Sequence, residues 1–394
     1  MTRIEYDAMG KPVNVPGLEA IASKRPEFAH GPRIWAETLA PALRARESER
    51  RETFRKVWRK TAVAAVIPWL LLLVFGVMNP FLFGAWAIVL AFGTPIAIIL
   101  IAGMDWLRVY AMKSATKELV LGAACQCFGF TYETLAPDVS RVTDYRSLIA
   151  AARAHQTRYG PPGARAGKRK RKRRSQTRIT TPFGSASFGA SDATGPECPT
   201  PAYDVLEDAS LLPGHESRHF EDLIKGERAG AAFSLVEARL ETTGENGTTV
   251  FQGLLFHVQY PDRFHGRTLM ARSRWWKRGK AAKELQKVSL VSAELDRAFT
   301  VYSTDQVEAR ALLTPDRMER LIALERHFSG GKLRGIFEDG HMTIALEAPN
   351  QFEAGSIFKP LADPDRFATA LVELGLVCDM IDGFLTRDWA QDKL

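Results

Sequence analysis

The stretch Val250–Tyr260, VFQGLLFHVQY, decides how the second half of the chain folds. Val250, Leu254, Phe256, Val258 and Tyr260 share the period of two, with Gln252 the polar exception. That is the signature of a strand laying one face on a core, whereas a helix needs apolar residues three and four apart. Working outward, Ala232–Leu240 alternates in the same way, and Arg267–Ala271, Lys287–Val291 and Phe299–Ser303 extend the sheet. Arg334–Glu338 and Met342–Glu347 close a hairpin on Asp339-Gly340, a step that supplies the positive φ of a two-residue turn.

Helices punctuate these strands. A short one is expected around Phe220–Lys225. Thr314-Pro315 reads as an N-cap with proline at the first helical position, followed by Leu321, Ile322, Leu324 and Phe328 and stopped by Gly330-Gly331. The last helix, from about Pro364 to Trp389, carries Phe367, Leu371, Leu374, Cys378, Ile381 and Leu385 at steps of four and three. Such a stripe covers a sheet more often than it builds a coiled coil, and a second copy of the chain is the other surface it could meet. Strands in a run with segregated helices define an α+β domain over 203–394, mostly antiparallel.

The first half of the chain obeys a different rule. Between Lys60 and Asp105 no residue is charged, and Asn79-Pro80 divides this block into two apolar runs, 61–78 and 81–104. Each is close to the roughly 20 residues that cross a bilayer, so the block predicts a two-span transmembrane helical hairpin. Pro68 and Pro95 lie inside the spans, where bilayer helices tolerate them. Arg44, Arg46, Arg50, Arg51, Arg55, Lys56, Arg59 and Lys60 precede the hairpin and Arg108, Lys113 and Lys117 follow it, while the turn carries no basic residue. The positive-inside rule then leaves both termini in the cytoplasm. Ile34–Lys60 reads as an amphipathic helix entering the first span, with Trp58 at the interface, and 106–126 continues as helix after the second. The expected organisation is an N-terminal tail over 1–33, a membrane anchor over 34–120, a juxtamembrane helical region over 121–158 and a flexible basic linker over 159–202.

That linker explains the charge of the chain. The 394 residues carry a formal charge of +8, and the run Lys168, Arg169, Lys170, Arg171, Lys172, Arg173 and Arg174 alone supplies +7. The basic balance therefore describes one Gly-, Pro- and Ser-rich segment, not a basic fold. Tethered near the inner leaflet, the run favours anionic lipid headgroups; without interleaved aromatics it lacks the stacking platform of a nucleic-acid binder. A second patch, Arg272, Arg274, Trp275, Trp276, Lys277 and Arg278, mixes cations with tryptophans as membrane interfaces do. The four cysteines, Cys125, Cys127, Cys198 and Cys378, fit neither a disulfide framework nor a zinc ribbon and read as reduced packing residues.

One pattern looks catalytic. His215-Glu216-Ser217-Arg218-His219 matches H-E-x-x-H, which on a helix puts two histidines on one face to hold zinc while the glutamate activates water. Pro213-Gly214 immediately before it places the match at a loop, and a third ligand would have to come from Glu237 or Glu241 on a strand. Asp305 and Glu308, or Ser303 and Gln306, read as helix caps. No phosphate loop, nucleophile elbow or dinucleotide fingerprint is present.

The segments LLPGHESRHFEDLIKGERAGAAFSLVEARL (Leu211–Leu240), TVFQGLLFHVQYPDRFHGRTLM (Thr249–Met270) and FTVYSTDQVEARALLTP (Phe299–Pro315) resemble a bacterial membrane family known as domain-of-unknown-function family 3137. The resemblance implies a fold and a topology, not a reaction, and a bacterial inner membrane as the location. The leading expectation is a non-enzymatic integral membrane protein with no cofactor, whose cytoplasmic α+β domain binds lipid or an unidentified protein partner. A membrane-anchored zinc peptidase and tethered nucleic-acid binding through the linker are the competing readings.

Overall fold

Strands β4 (Ser217–Arg228), β5 (Ala231–Thr242) and β6 (Thr248–Gln259) form a long antiparallel meander in the computed structural model. The structure describes residues 17–78, 94, 105–106, 108–109, 111–135, 150, 178–181, 184–187, 199–242, 248–260, 266–272, 285–327, 332–349, 351–353 and 359–385. The sheet continues on one side to β1 (Thr131–Thr134). On the other it runs through β11 (His341–Glu347), β10 (Arg334–Glu338), β7 (Thr268–Arg272), β9 (Phe299–Ser303) and β8 (Gln286–Val288). Its nine strands take the order β1-β4-β5-β6-β11-β10-β7-β9-β8, each paired antiparallel with its neighbour. A separate hairpin, β2 (Arg178–Thr181) with β3 (Gly184–Ser187), lies within the segment expected to be a flexible linker. The α+β class, the large antiparallel sheet and the packed helices all follow the reading of the alternating segments.

The turns obey their local chemistry. Asp339 and Gly340 have φ of 52° and 72°, the paired left-handed residues of a two-residue hairpin. Ala229 and Gly230, with φ of 51° and 77°, join β4 to β5 in the same way. The expected helix over Phe220–Lys225 is a strand instead, part of β4. Phe220, Leu223 and Ile224 have helical spacing because a β-bulge interrupts the alternation between Phe220 and Leu223.

The sheet is covered on both faces. Leu254, Phe256 and Val258 of β6 join one core, while Phe251 and Leu255 enter a second core beneath α5 (Pro201–Asp208), built on Tyr203, Leu206, Leu211 and Leu212. The strand predicted to be half-buried is thus buried on its other face as well. On the first face lies α9 (Pro364–Leu385), whose stripe of Phe367, Leu371, Leu374, Cys378, Ile381 and Leu385 is buried against this chain's own core. The N-terminal segment also packs on α9. There α1 (Leu18–Ala22) brings Leu18 and Ile21, Phe28 follows, and Arg25 donates to the Gly375 carbonyl at 2.6 Å.

From α2 (Gly31–Ile34) the chain passes through a π-helical turn, Trp35–Leu39, into α3 (Ala40–Met78). Trp35 stacks on Phe367, and Glu47 accepts from the Leu361 amide at 3.1 Å, so the start of α3 is fixed to the domain. Farther along, Val63, Val66, Ile67, Trp69, Leu70, Leu73 and Val74 are exposed. Over the described residues no helix is both long and apolar enough to cross a membrane, so the expected pair of crossing helices is not met there. Nearly all of the second expected span, 81–104, lies outside the described residues, as do 136–149 and 151–158 of the expected juxtamembrane helical region. A helix over 111–127, α4, then leads into β1.

Candidate functional site

The bulge in β4 has a chemical consequence. Phe220 pairs with Ala238 and Leu223 with Val236, so Glu221 and Asp222 together stand opposite the single residue Glu237 of β5. A bulge re-aims side chains that a regular strand would send to opposite faces. Here one carboxylate oxygen from each of Glu221, Asp222 and Glu237 lies within 4.8 Å of the others. Asp222 and Glu237 are both buried at 2% exposure.

Their neighbours come from four further elements. From α4, Lys117 places its ammonium 2.6 Å from Asp222 Oδ2 and 3.9 Å from Glu353, and Lys113 lies 2.8 Å from the other oxygen of Glu353. From β1, Tyr132 donates its hydroxyl to Asp222 Oδ1 at 2.7 Å. The Gln351 amide donates to Glu237 Oε1, and the next amide, that of Phe352, donates to Glu373 of α9, both at 3.1 Å. Phe352 is buried and has φ of 55°, a left-handed backbone that costs a bulky residue roughly 1–3 kcal/mol. Residues 351–353 therefore form a clasp in which successive positions bind β5, α9 and α4.

The electrostatics follow from burial. Desolvation pushes the Glu237 carboxyl well above the ordinary carboxylate range, and the neighbouring Asp222 adds to it. Burial raises Glu373 to about 8. Burial alone would lower the Lys117 pKa, but Asp222 outweighs it and the value rises. Tyr132 is also pushed up, by burial and then by Asp222, so it stays a hydrogen-bond donor. Three converging carboxylates suit a hard divalent cation in general. In this cluster the Lys117 ammonium is already the cation on Asp222.

The residues singled out from the sequence are placed elsewhere. His215 precedes β4 in a loop, with Nε2 2.7 Å from the Tyr203 hydroxyl and Nδ1 2.8 Å from the Pro213 carbonyl. His219 lies within β4 and approaches Glu241 at 3.8 Å, while Arg218 sits over the Tyr203 ring. Glu216 donates its amide to the Glu241 carbonyl. His215 thus lies in the loop and His219 on the extended strand, each ring beside different partners. The one-face pair that H-E-x-x-H supplies on a helix is therefore not formed. Arg272 is committed to Glu325 through both Nε and Nη2 and stacks 4.4 Å from the Phe299 ring centroid. Arg274, Trp275, Trp276, Lys277, Arg278 and the run Lys168–Arg174 lie outside the described residues. Asp305 caps α7 (Gln306–Leu312), accepting from the amides of Val307 and Glu308. Cys125, Cys127 and Cys378 are free thiols, and burial raises them to about 12, 11 and 12.

The carboxylate–lysine cluster was missed because its partners are remote in sequence. Its one local signal is Glu237, an acid set inside the apolar run Phe233–Ala238.

The fold and the cluster define an antiparallel α+β domain clasped to the helix that follows the apolar block. Residues 249–385 match the family described as "Protein of unknown function (DUF3137)". The match contains the clasp and Glu373, while Lys117, Tyr132, Asp222 and Glu237 precede it. No curated protein matches the chain. One solved structure, the crystal structure of the mycobacterial trehalose monomycolate transport factor A, TtfA, aligns at 9% identity over 45% of this chain and 80% of that one. Its TM-score of 0.24 carries no argument.

Proposed function

We propose that the chain is an integral membrane protein whose 61–104 block enters the bilayer as a helical hairpin and holds the α+β domain at the cytoplasmic face, where it binds a protein or lipid surface without catalysis. The observation that carries this reading is the exposed apolar side of α3: Leu70 and Leu73, at 56% and 63% exposure, stand among exposed valines, Ile67 and Trp69. A patch of that kind marks a membrane or partner contact. Lys60 and Asp105 form an ion pair at 2.5 Å, so the two ends of the charge-free block lie side by side, as the feet of a hairpin do. Phe54 and Trp58 meet edge to face just before Lys60, at the level where aromatic residues favour the interface. Anchoring raises the effective concentration of the domain for anything at the same surface.

Alkaline carbonate extraction of membranes carrying the full chain tests this reading. The wild-type protein is expected to stay in the pellet. Leu70→Arg with Leu73→Arg, each costing about 2.5–3.5 kcal/mol near the middle of a span, is expected to move it to the supernatant. Release of the wild-type protein by carbonate overturns the proposal.

A further inference from the structure

We infer that the cluster is a proton-binding site: a proton on Glu237, facing Glu221 and Asp222, and a second on Glu373 keep residues 351–353 clasped and so keep α4 seated on the sheet.

The geometry makes the case. Glu237 Oε1 accepts one backbone amide, whereas Oε2 is buried with no hydrogen-bond partner among the described residues and belongs to a carboxyl surrounded by other carboxyls. An ionised oxygen in that position would be desolvated beside like charge, and a proton removes both penalties. The groups facing the site are Lys113, Lys117 and Cys125 from α4, Tyr132 from β1, Glu221 and Asp222 from β4, Glu353 from the clasp and Glu373 from α9. Five carboxyls thus share two lysines. One lysine is spent on Asp222 and Glu353, and the other reaches Glu353 from the surface.

The two carboxyls grip successive amides, and the Phe352 backbone between them is left-handed. Ionisation strengthens each amide bond but leaves a desolvated charge beside other carboxyls in the closed state, and burial outweighs the bond; release rehydrates the carboxylates and lets that backbone relax. The sign follows from Glu373, whose value of about 8 when clasped compares with 4.5 when free. The closed state binds the proton more tightly, so its advantage is complete below about pH 4.5 and declines as pH rises toward about 8, by up to tenfold per pH unit. The link from this site to a membrane surface rests on the anchoring proposed above; the proton site itself does not.

Hydrogen–deuterium exchange on the full chain in detergent micelles tests the site independently of membrane integration. With intrinsic exchange rates corrected, protection of 111–127 and of 351–353 is expected to fall at least about tenfold between about pH 6 and about pH 9. Glu237→Gln combined with Glu373→Gln replaces each protonated carboxyl by a neutral isostere, and is expected to keep the protection and flatten the profile. A flat wild-type profile, or an undiminished slope in the double variant, overturns the inference. Should the double variant fail to fold, infrared difference spectra of the wild-type protein decide. A protonated-carboxyl band lost between the same pH limits, and reduced in Glu373→Gln alone, supports the site; no such band refutes it. Carbonate release of the chain with the pH profile intact would refute the membrane reading and leave the proton site standing.

Discussion

Lys117→Met is the sharpest structural test of the cluster. The side chain of Lys117 is 12% exposed and its partner Asp222 is 2% exposed, so the substitution leaves a carboxylate buried without its cation. Breaking a buried pair from one side costs about 3–5 kcal/mol. The Tyr132 hydroxyl still donates to Asp222 Oδ1 and retains part of that, since a hydrogen bond to a charged group is worth about 1.5–3 kcal/mol. Methionine also keeps the apolar stem packed. The expected loss is therefore about 3 kcal/mol, read as a lower urea midpoint at unchanged slope for the full chain in detergent. Adding Asp222→Asn removes the stranded charge, so the double variant should recover much of the loss, with a coupling of at least about 2 kcal/mol. A single-variant loss under about 1 kcal/mol, the worth of an exposed pair, or strictly additive losses, would show that the cluster is solvated and that its burial has been misread.

Two further outcomes follow from packing. Gly226→Ala would place a Cβ 2.4 Å from the ring of Phe130, which is wedged edge-on against Phe233 and cannot retreat, so a loss of about 1–3 kcal/mol is expected by thermal denaturation, partly restored by Phe130→Leu. Arg272→Ala strands Glu325, which is buried and otherwise accepts the Leu333 amide, and should cost about 3 kcal/mol while leaving flotation on anionic vesicles unchanged; reduced flotation at full stability would make Arg272 a lipid contact instead.

Much of the domain was legible because its signals are local. The alternation of Val250–Tyr260, the Asp339-Gly340 turn and the stripe on α9 each need only neighbours a few residues away, and each formed as read. What escaped depends on distant partners. Phe251 and Leu255 look like the outer face of a strand until α5 covers them. Residues 18–28 have little local signature, and they pack because α9 presents Gly375, whose missing side chain lets the Phe28 ring approach closely. The H-E-x-x-H match, read as lying at a loop, lacks its helix for a related reason: its chemistry depends on one, and the chain is extended from Ser217.

The failure at Phe220–Lys225 is instructive in a different way. A regular strand would send Glu221 and Asp222 to opposite faces, toward two separate cores, and at most one of them could meet Glu237. The extra residue of the bulge destroys the alternation and, by the same displacement, brings both acids against Glu237. The irregularity that disguised β4 as a helix is thus the physical cause of the cluster. A strand selected only for stability would have no reason to gather carboxyls in its core, since an apolar replacement of similar volume removes the desolvation cost. Sites where local rules fail are where function concentrates, and this one lies where the helix following the apolar block meets the sheet. Deleting Glu221 restores the alternation and leaves Asp222 the one acid of β4 opposite Glu237, so hydrogen–deuterium exchange should show a shallower pH dependence at α4, with the part that rests on the buried Glu373 retained.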